Sequence, residues 1–131
     1  MNQNPYESPA HGYVTNDRSA LYVLAGIGSA LASLYWGALT LLIAFGVATG
    51  SVSGAQLILP AILIALYAMR AFQIFKGDPN AARRVLWLHG VGGVMAIVQM
   101  ASGGPIFIVL QGIKVVIHVF GGITAYLAQR R

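Results

Sequence analysis

The chain has 131 residues, of which 57% are hydrophobic and 8% carry a formal charge, and its net charge at pH 7 is +5. A soluble domain carries about 25% charged residues, so this deficit indicates that lipid is the solvent. The length accommodates four spans of about 20 residues and little else, which argues against a soluble domain or an enzyme head. We therefore expect one all-helical domain, an integral membrane four-helix bundle.

Residues 1–18 are polar, contain two prolines and show no apolar periodicity, a composition that predicts a flexible arm before the bundle of residues 19–131. Residues 4–9, NPYESP, resemble the NPYxxP opening of many small uncharacterised bacterial membrane proteins, some of them of the RDD type. The rest of the sequence lacks the arginine-aspartate pattern that names the RDD family. The resemblance implies a bacterial membrane, which we expect to be the inner one, and assigns no functional residue.

Four apolar spans follow, at about residues 19–47, 55–75, 79–101 and 105–129. The first is roughly twice as long as a secretory h-region of about 7 to 15 residues, so it is predicted to be a retained helix. Small residues recur along it at spacings of three and four, which predicts close packing against a second helix. The residues of this stripe are Gly26, Ser29, Ser33 and Gly37.

The loops between the spans predict the orientation. Gly77 suits the end of the second helix, and Asp78 with Pro79 suits the cap and first position of the third. Pro60 is expected to bend the second helix. Basic residues gather in the middle loop and at the tail, whereas the two other loops are uncharged, so the positive-inside rule places both termini in the cytoplasm. The residues expected to set this topology are Arg70, Lys76, Arg83, Arg84, Arg130 and Arg131.

The last two spans contain Lys114, the one charge well inside an apolar span, and two of the three histidines. In an antiparallel hairpin that turns at residues 103–104, His89 and His118 lie at equal depth. At about 1.5 Å per residue, Lys114 lies about 16 Å from the turn and so near the midplane of a hydrocarbon core about 30 Å thick. A lysine facing lipid there costs about 3 kcal/mol or more, so Lys114 is predicted to face the interior.

Polar and small residues share one face on each of these two helices, because they recur at spacings of three and four. The two faces predict an intramembrane polar seam, for which the candidate binding residues are His89, Gln99, Gln111, Lys114 and His118. The small residues expected to allow close packing beside the seam are Gly92, Gly93, Ala96 and Gly122.

Three interpretations of the seam remain open. In the first, which we favour, the protein is a non-catalytic accessory component that associates with another membrane protein or a second copy, whose acid pairs with Lys114. In the second, an oligomer forms a transporter or channel for a small solute, an ion or protons. In the third, haem lies between His89 and His118, although adjacent helices only about 8 to 10 Å apart leave little room for it.

Enzyme activity, metal binding and nucleic-acid binding are not expected. The three acids Glu7, Asp17 and Asp78 all lie outside the spans, so no carboxylate is available for acid-base chemistry within them. A metal held by two histidines would lack further ligands. The basic residues lie mostly beside apolar spans, where they orient the chain in the bilayer.

Overall fold

A computed structural model describes residues 16–78, 80–101 and 103–130, with side chains from residue 20 onward. This part of the chain contains four α-helices and no strand: α1 Asn16–Ala48, α2 Ile58–Phe75, α3 Ala81–Met100 and α4 Pro105–Arg130, with a 3₁₀ turn at Gly54–Leu57 before α2. All four helices are long and apolar enough to cross a membrane. The predicted all-α membrane bundle is confirmed, while the predicted arm lies mostly outside the described residues.

The start of the second span differs from the prediction. It begins as the 3₁₀ turn Gly54–Leu57, and α2 starts only at Ile58. Pro60 is then the third residue of α2, within the first turn, where backbone N–H groups have no partner inside an α-helix. Its missing N–H therefore interrupts no α-helical hydrogen bond, whereas the sequence predicted a bend within the helix.

The turn between α2 and α3 is short, and arginines of both helices flank it. Gly77 adopts a positive φ of 79°, a conformation that glycine allows after a helix end. The Asp78 side chain accepts a hydrogen bond from the Asn80 backbone N–H at 2.9 Å. α3 begins at Ala81 after Asn80, two residues later than predicted, and Pro79 lies outside the described residues. We call this end of the bundle the basic end and the opposite end, with the loops around residues 49–54 and 103–104, the neutral end.

The helices are not all neighbours. α1 packs extensively against both α2 and α4, and α3 packs extensively against α4, whereas α2 and α3 make few direct contacts. The four helices therefore form an incomplete ring in the order α2, α1, α4, α3. The open side of this ring is the α2–α3 cleft.

α1 presents two stripes of small residues where the sequence predicted one. A Cβ atom on Gly28 would stand 2.6 Å from the Gly121 Cα atom of α4, so the two backbones are in contact there. A Cβ atom on Gly26 would stand 2.7 Å from the Phe75 ring of α2, and the Ser33 hydroxyl donates to the Ile64 carbonyl at 3.2 Å. Buried small residues next to Gly28 continue the first stripe: Ala25, Ser29 and Ala32.

The outer surface is apolar along most of the helices. Large aliphatic and aromatic side chains are widely exposed there, including Leu34, Leu41, Phe45 and Ile106. A continuous apolar surface of this extent would be unstable in water and is the surface that a bilayer requires. The predicted contact with lipid is therefore confirmed.

Candidate functional site: a polar centre beside an open cleft

The polar centre of the bundle is a pair of histidines. His89 of α3 and His118 of α4 are 1% and 3% exposed, and their Nδ1 atoms are 3.0 Å apart. A hydrogen bond between these two atoms needs a proton on one and a lone pair on the other, so the two imidazoles take different roles. The hairpin of α3 and α4 thus brings together the two residues that the sequence placed at equal depth.

The other two helices each add a hydroxyl to this pair. The Ser29 Oγ atom of α1 lies 3.4 Å from His89 Nε2. The Tyr67 hydroxyl of α2 lies 3.4 Å from His118 Nδ1 and donates to the Leu88 carbonyl at 3.2 Å. Ser29, Tyr67, His89 and His118, which we call the histidine cluster, therefore connect all four helices at one depth.

Glycines make space for the two imidazoles. A Cβ atom on Gly121 would overlap the His89 ring, and one on Gly92 would stand 2.6 Å from the His118 ring. Gly93 and Gly122 lie at ordinary contact distance from the same two histidines. Larger residues at positions 92 or 121 would displace a ring, so these glycines are needed by the cluster and not only by helix packing.

Lys114 lies one turn from His118 toward the neutral end of α4. Its side chain is 4% exposed, and Nζ donates to Gln99 Oε1 at 3.4 Å and stands 4.5 Å from the centre of the Trp36 ring. These contacts replace part of the hydration of an ammonium group. Among the side chains that the structure describes, the one carboxylate belongs to Asp78, which lies beside Arg84 at the basic end. Within this part of the chain, Lys114 is held by uncharged groups.

Three neighbouring cavities extend from the basic end to the neutral end. The first two follow the α2–α3 cleft, and the third is lined mainly by α1, α2 and α4, with Gln99 of α3 at its edge. The first, at the basic end, has a volume of about 420 Å³ and is bounded by Arg70 and Arg84. The second, of about 210 Å³, shares Leu88 and Val91 with the first and reaches Lys114. The third opens toward the neutral end and has a volume of about 480 Å³. Lining residues common to the second and third cavities are Trp36, Leu59, Gln99 and Lys114.

The cleft has polar groups around Lys114 and at its basic end, and apolar walls between them. Gln111 is buried beside the third cavity, and its Oε1 atom has no hydrogen-bond partner among the described residues. Such an unpaired acceptor costs about 1 to 3 kcal/mol. Rotation of the amide by half a turn would exchange this oxygen for the N–H donors. Gly92 lines the second cavity and separates it from the His118 ring behind it.

The predicted polar seam is divided into two parts. His89 and His118 belong to the histidine cluster, whereas Gln99, Gln111 and Lys114 line the cleft. Of the predicted packing residues, Ala96 is fully buried, but Gly37 has nothing within 4 Å of a Cβ position.

Sequence reasoning missed the hydroxyls of Ser29 and Tyr67 as partners of the histidines, and the Trp36 ring as a partner of Lys114. A tyrosine deep in an apolar span could have indicated a buried hydroxyl that needs a hydrogen-bond partner, and Tyr67 is such a residue.

The histidine cluster does not fit a haem between His89 and His118. Two axial nitrogens on one metal ion stand about 4 Å apart, because each metal–nitrogen bond is about 2 Å long. Here the facing nitrogens are 3.0 Å apart and the ring centres 5.2 Å apart, which leaves no space for a macrocycle. Within residues 16–78, 80–101 and 103–130, no three metal-ligating side chains of histidine, cysteine or acid type come together.

Comparisons of the chain with protein-family models, curated proteins and solved structures found no match.

Proposed function

We propose that this multi-pass membrane protein binds a small anionic solute at Lys114 and carries it along the α2–α3 cleft. The observation that supports the proposal is a buried ammonium group that lines two neighbouring cavities and that no described carboxylate neutralises. Buried polar and ionisable residues inside membrane bundles mark solute pathways in many proteins. The sequence alone favoured an accessory role. We propose transport instead because Lys114 lines the cleft.

Residues around Lys114 suit an anion. The ammonium group attracts negative charge, while the side-chain amide of Gln111 carries N–H groups that can donate to it. At the basic end, the guanidinium groups of Arg70 and Arg84 extend the same sign of charge along the cleft. A cation would meet repulsion at both positions, so the proposed pathway selects against it.

The middle of the cleft controls passage in this proposal. The second cavity is the smallest of the three, and Leu88 and Val91 separate it from the basic end. Because α2 and α3 make few direct contacts, a shift of α2 away from α3 disrupts little packing. This shift breaks the hydrogen bond from the Tyr67 hydroxyl of α2 to the Leu88 carbonyl of α3. The interhelical hydrogen bonds between Ser29, His89 and His118, worth about 0.6 to 2 kcal/mol each, hold α1, α3 and α4 together behind the cleft during the shift.

The proposal predicts anion flux that depends on Lys114. The purified protein is reconstituted in vesicles that contain an anion-sensitive fluorophore, and uptake of chloride, nitrate and small carboxylates is measured. We expect Lys114→Leu to reduce the flux at least tenfold and Lys114→Arg to retain part of it, because arginine keeps the charge. Val116→Leu, a change at a lipid-exposed position two residues away, is the matched control and should leave the flux unchanged.

Two results would contradict this proposal. The first is wild-type flux no greater than that of protein-free vesicles for every anion tested. The second is equal flux from the wild type and from Lys114→Leu, with both proteins eluting as folded species from size-exclusion chromatography.

An accessory role is the second candidate function. The same uncompensated Lys114 supports it, because an intramembrane acid of another membrane protein could reach the ammonium group through the open side of the ring. Mass analysis of what co-purifies in mild detergent separates the two functions: a stoichiometric partner supports the accessory role, and a free-standing protein with flux supports transport. Both candidates are non-catalytic, and both place the chain in the bacterial inner membrane that its opening residues suggest.

A further inference from the structure

The basic end of the α2–α3 cleft combines two arginines with apolar walls. Arg70 of α2 is half-buried, and the Arg84 side chain of α3 is 50% exposed. Trp87 stands beside them and is 69% exposed. The walls that continue into the bundle are aliphatic: Leu66, Leu88 and Val91. We call these six residues the arginine groove.

The charges of the arginine groove are only partly compensated. The Arg70 guanidinium donates to the uncharged Gln73 amide oxygen at 2.6 Å. The Arg84 guanidinium lies 3.6 Å from the Asp78 carboxylate, and both groups are partly exposed. An ion pair of this kind is worth at most about 1 kcal/mol, and a guanidinium has five N–H donors, so Arg84 can bind a second anion. One carboxylate beside two arginines leaves the groove positive.

The depth of the groove matches the boundary between lipid headgroups and acyl chains. At about 1.5 Å per residue, Arg70 lies about 8 Å from the end of α2, and Arg84 about 5 Å from the start of α3. Val91 lies about 15 Å from the start of α3 by the same measure, which is well within the hydrocarbon core. A free anion would need the arginines alone, whereas a lipid uses the arginines and the aliphatic walls together.

We propose that the arginine groove binds one anionic phospholipid. Its phosphate lies between Arg70 and Arg84, where guanidinium groups can donate paired hydrogen bonds to phosphate oxygens. Trp87 lies at the level of the headgroup and glycerol, where tryptophan is enriched. One acyl chain follows Leu66, Leu88 and Val91 and fills the gap that the sparse contacts between α2 and α3 leave at this end. The groove is the basic end of the proposed solute pathway, whereas Lys114 lines the second and third cavities. A solute that enters or leaves at the basic end therefore passes the headgroup of this lipid.

Tryptophan fluorescence provides the test, because the chain contains two tryptophans, Trp36 and Trp87. The Trp36→Phe variant, with Trp87 as the reporter, is reconstituted in phosphatidylcholine vesicles that contain a small fraction of brominated phosphatidylglycerol or brominated phosphatidylcholine. We expect brominated phosphatidylglycerol to quench Trp87 at least twice as strongly as brominated phosphatidylcholine at equal mole fraction. Adding Arg70→Gln and Arg84→Gln should abolish this difference.

The controls identify what a positive result means. Arg83→Gln removes a neighbouring exposed arginine outside the groove and should retain the difference. Lys114→Leu should also retain it, so failure of solute transport does not affect this test. Equal quenching by the two lipids, persistence of the difference without Arg70 and Arg84, or its loss on adding millimolar inorganic phosphate would each overturn the proposal. The last result would show a site for free anions.

Discussion

The Tyr67 hydroxyl joins α2 to the two helices that carry the histidines. It donates to the Leu88 carbonyl of α3 and lies within reach of His118 of α4. The Tyr67 side chain is 1% exposed, so removal of its hydroxyl leaves the ring packed in place. If the histidine cluster holds the helices together, the effect of losing this hydroxyl on stability measures that role directly.

We expect Tyr67→Phe to lower the free energy of unfolding by about 0.6 kcal/mol and at most about 1.7 kcal/mol, the average and the maximum measured for interhelical hydrogen bonds in a membrane protein. Unfolding is followed by titration with a denaturing detergent and by helical circular dichroism. Tyr126→Phe, a change at a partly exposed position on α4, should have no effect of this size. A Tyr67→Phe protein as stable as the wild type would show that the cluster contributes little to helix association.

The sequence predicted part of this centre from residue spacing. His89, His118 and Lys114 were expected in the interior because charge and imidazole facing lipid are unfavourable, and the hairpin register placed the two histidines at one depth. The hydroxyl of Tyr67 was not expected there, because a tyrosine in an apolar span has the same pattern whether it packs or forms hydrogen bonds. The contact between Lys114 and Trp36 joins helices far apart in the chain, which periodicity does not specify.

At the scale of helices, α1 and α4 approach each other closely at two glycines. Gly28 and Gly121 meet backbone to backbone, so no side chain can be accommodated between them. The sequence indicated a small-residue stripe on α1 but did not distinguish the face toward α4 from the face toward α2. Small residues recur at spacings of three and four on both faces of α1. Only the three-dimensional order of the helices shows which face packs against which neighbour.

Gly28→Ala is therefore expected to destabilise the bundle. Its Cβ atom would stand 2.6 Å from the Gly121 Cα atom, and backbone cannot move aside as a flexible side chain would. The expected loss is about 1 to 3 kcal/mol, the usual cost of overpacking. Gly37→Ala is the matched control on the same helix, because nothing lies within 4 Å of its Cβ position.

Thermal unfolding in mild detergent would measure both glycine variants. We expect Gly28→Ala to have the lower midpoint, and Gly37→Ala to match or exceed the wild type because alanine favours the helix. Equal midpoints for the two variants would mean that α1 and α4 are further apart than this contact requires.

For the whole molecule, the number of helices and their approximate positions follow from apolar run length and from glycine and proline in the loops, although α2 and α3 begin later than predicted. The sequence pattern does not predict the order α2, α1, α4, α3 or the resulting cleft, because each helix has an apolar surface that could face either lipid or a neighbour. The cleft therefore became visible only in the assembled bundle, and with it the surroundings of Lys114 and the arginine groove.

The charge distribution predicts the orientation of the bundle in the membrane, and cysteine labelling can test this orientation. The basic end carries Arg70, Lys76, Arg83 and Arg84, so it should lie in the cytoplasm. The chain contains no cysteine, so single cysteines can be introduced without removing others. Ser51→Cys reports on the neutral end and Asn80→Cys on the basic end, and both positions are exposed in loops.

We expect a membrane-impermeant maleimide to label Ser51→Cys in intact cells and to label Asn80→Cys only after the membrane is permeabilised. The proposed lipid site depends on this result, because the leaflet that faces the basic end must supply the anionic lipid. Labelling of Asn80→Cys alone in intact cells would indicate the opposite orientation, in which the arginine groove lies in the outer leaflet. Labelling of both cysteines in intact cells would indicate a mixed population and contradict the positive-inside assignment.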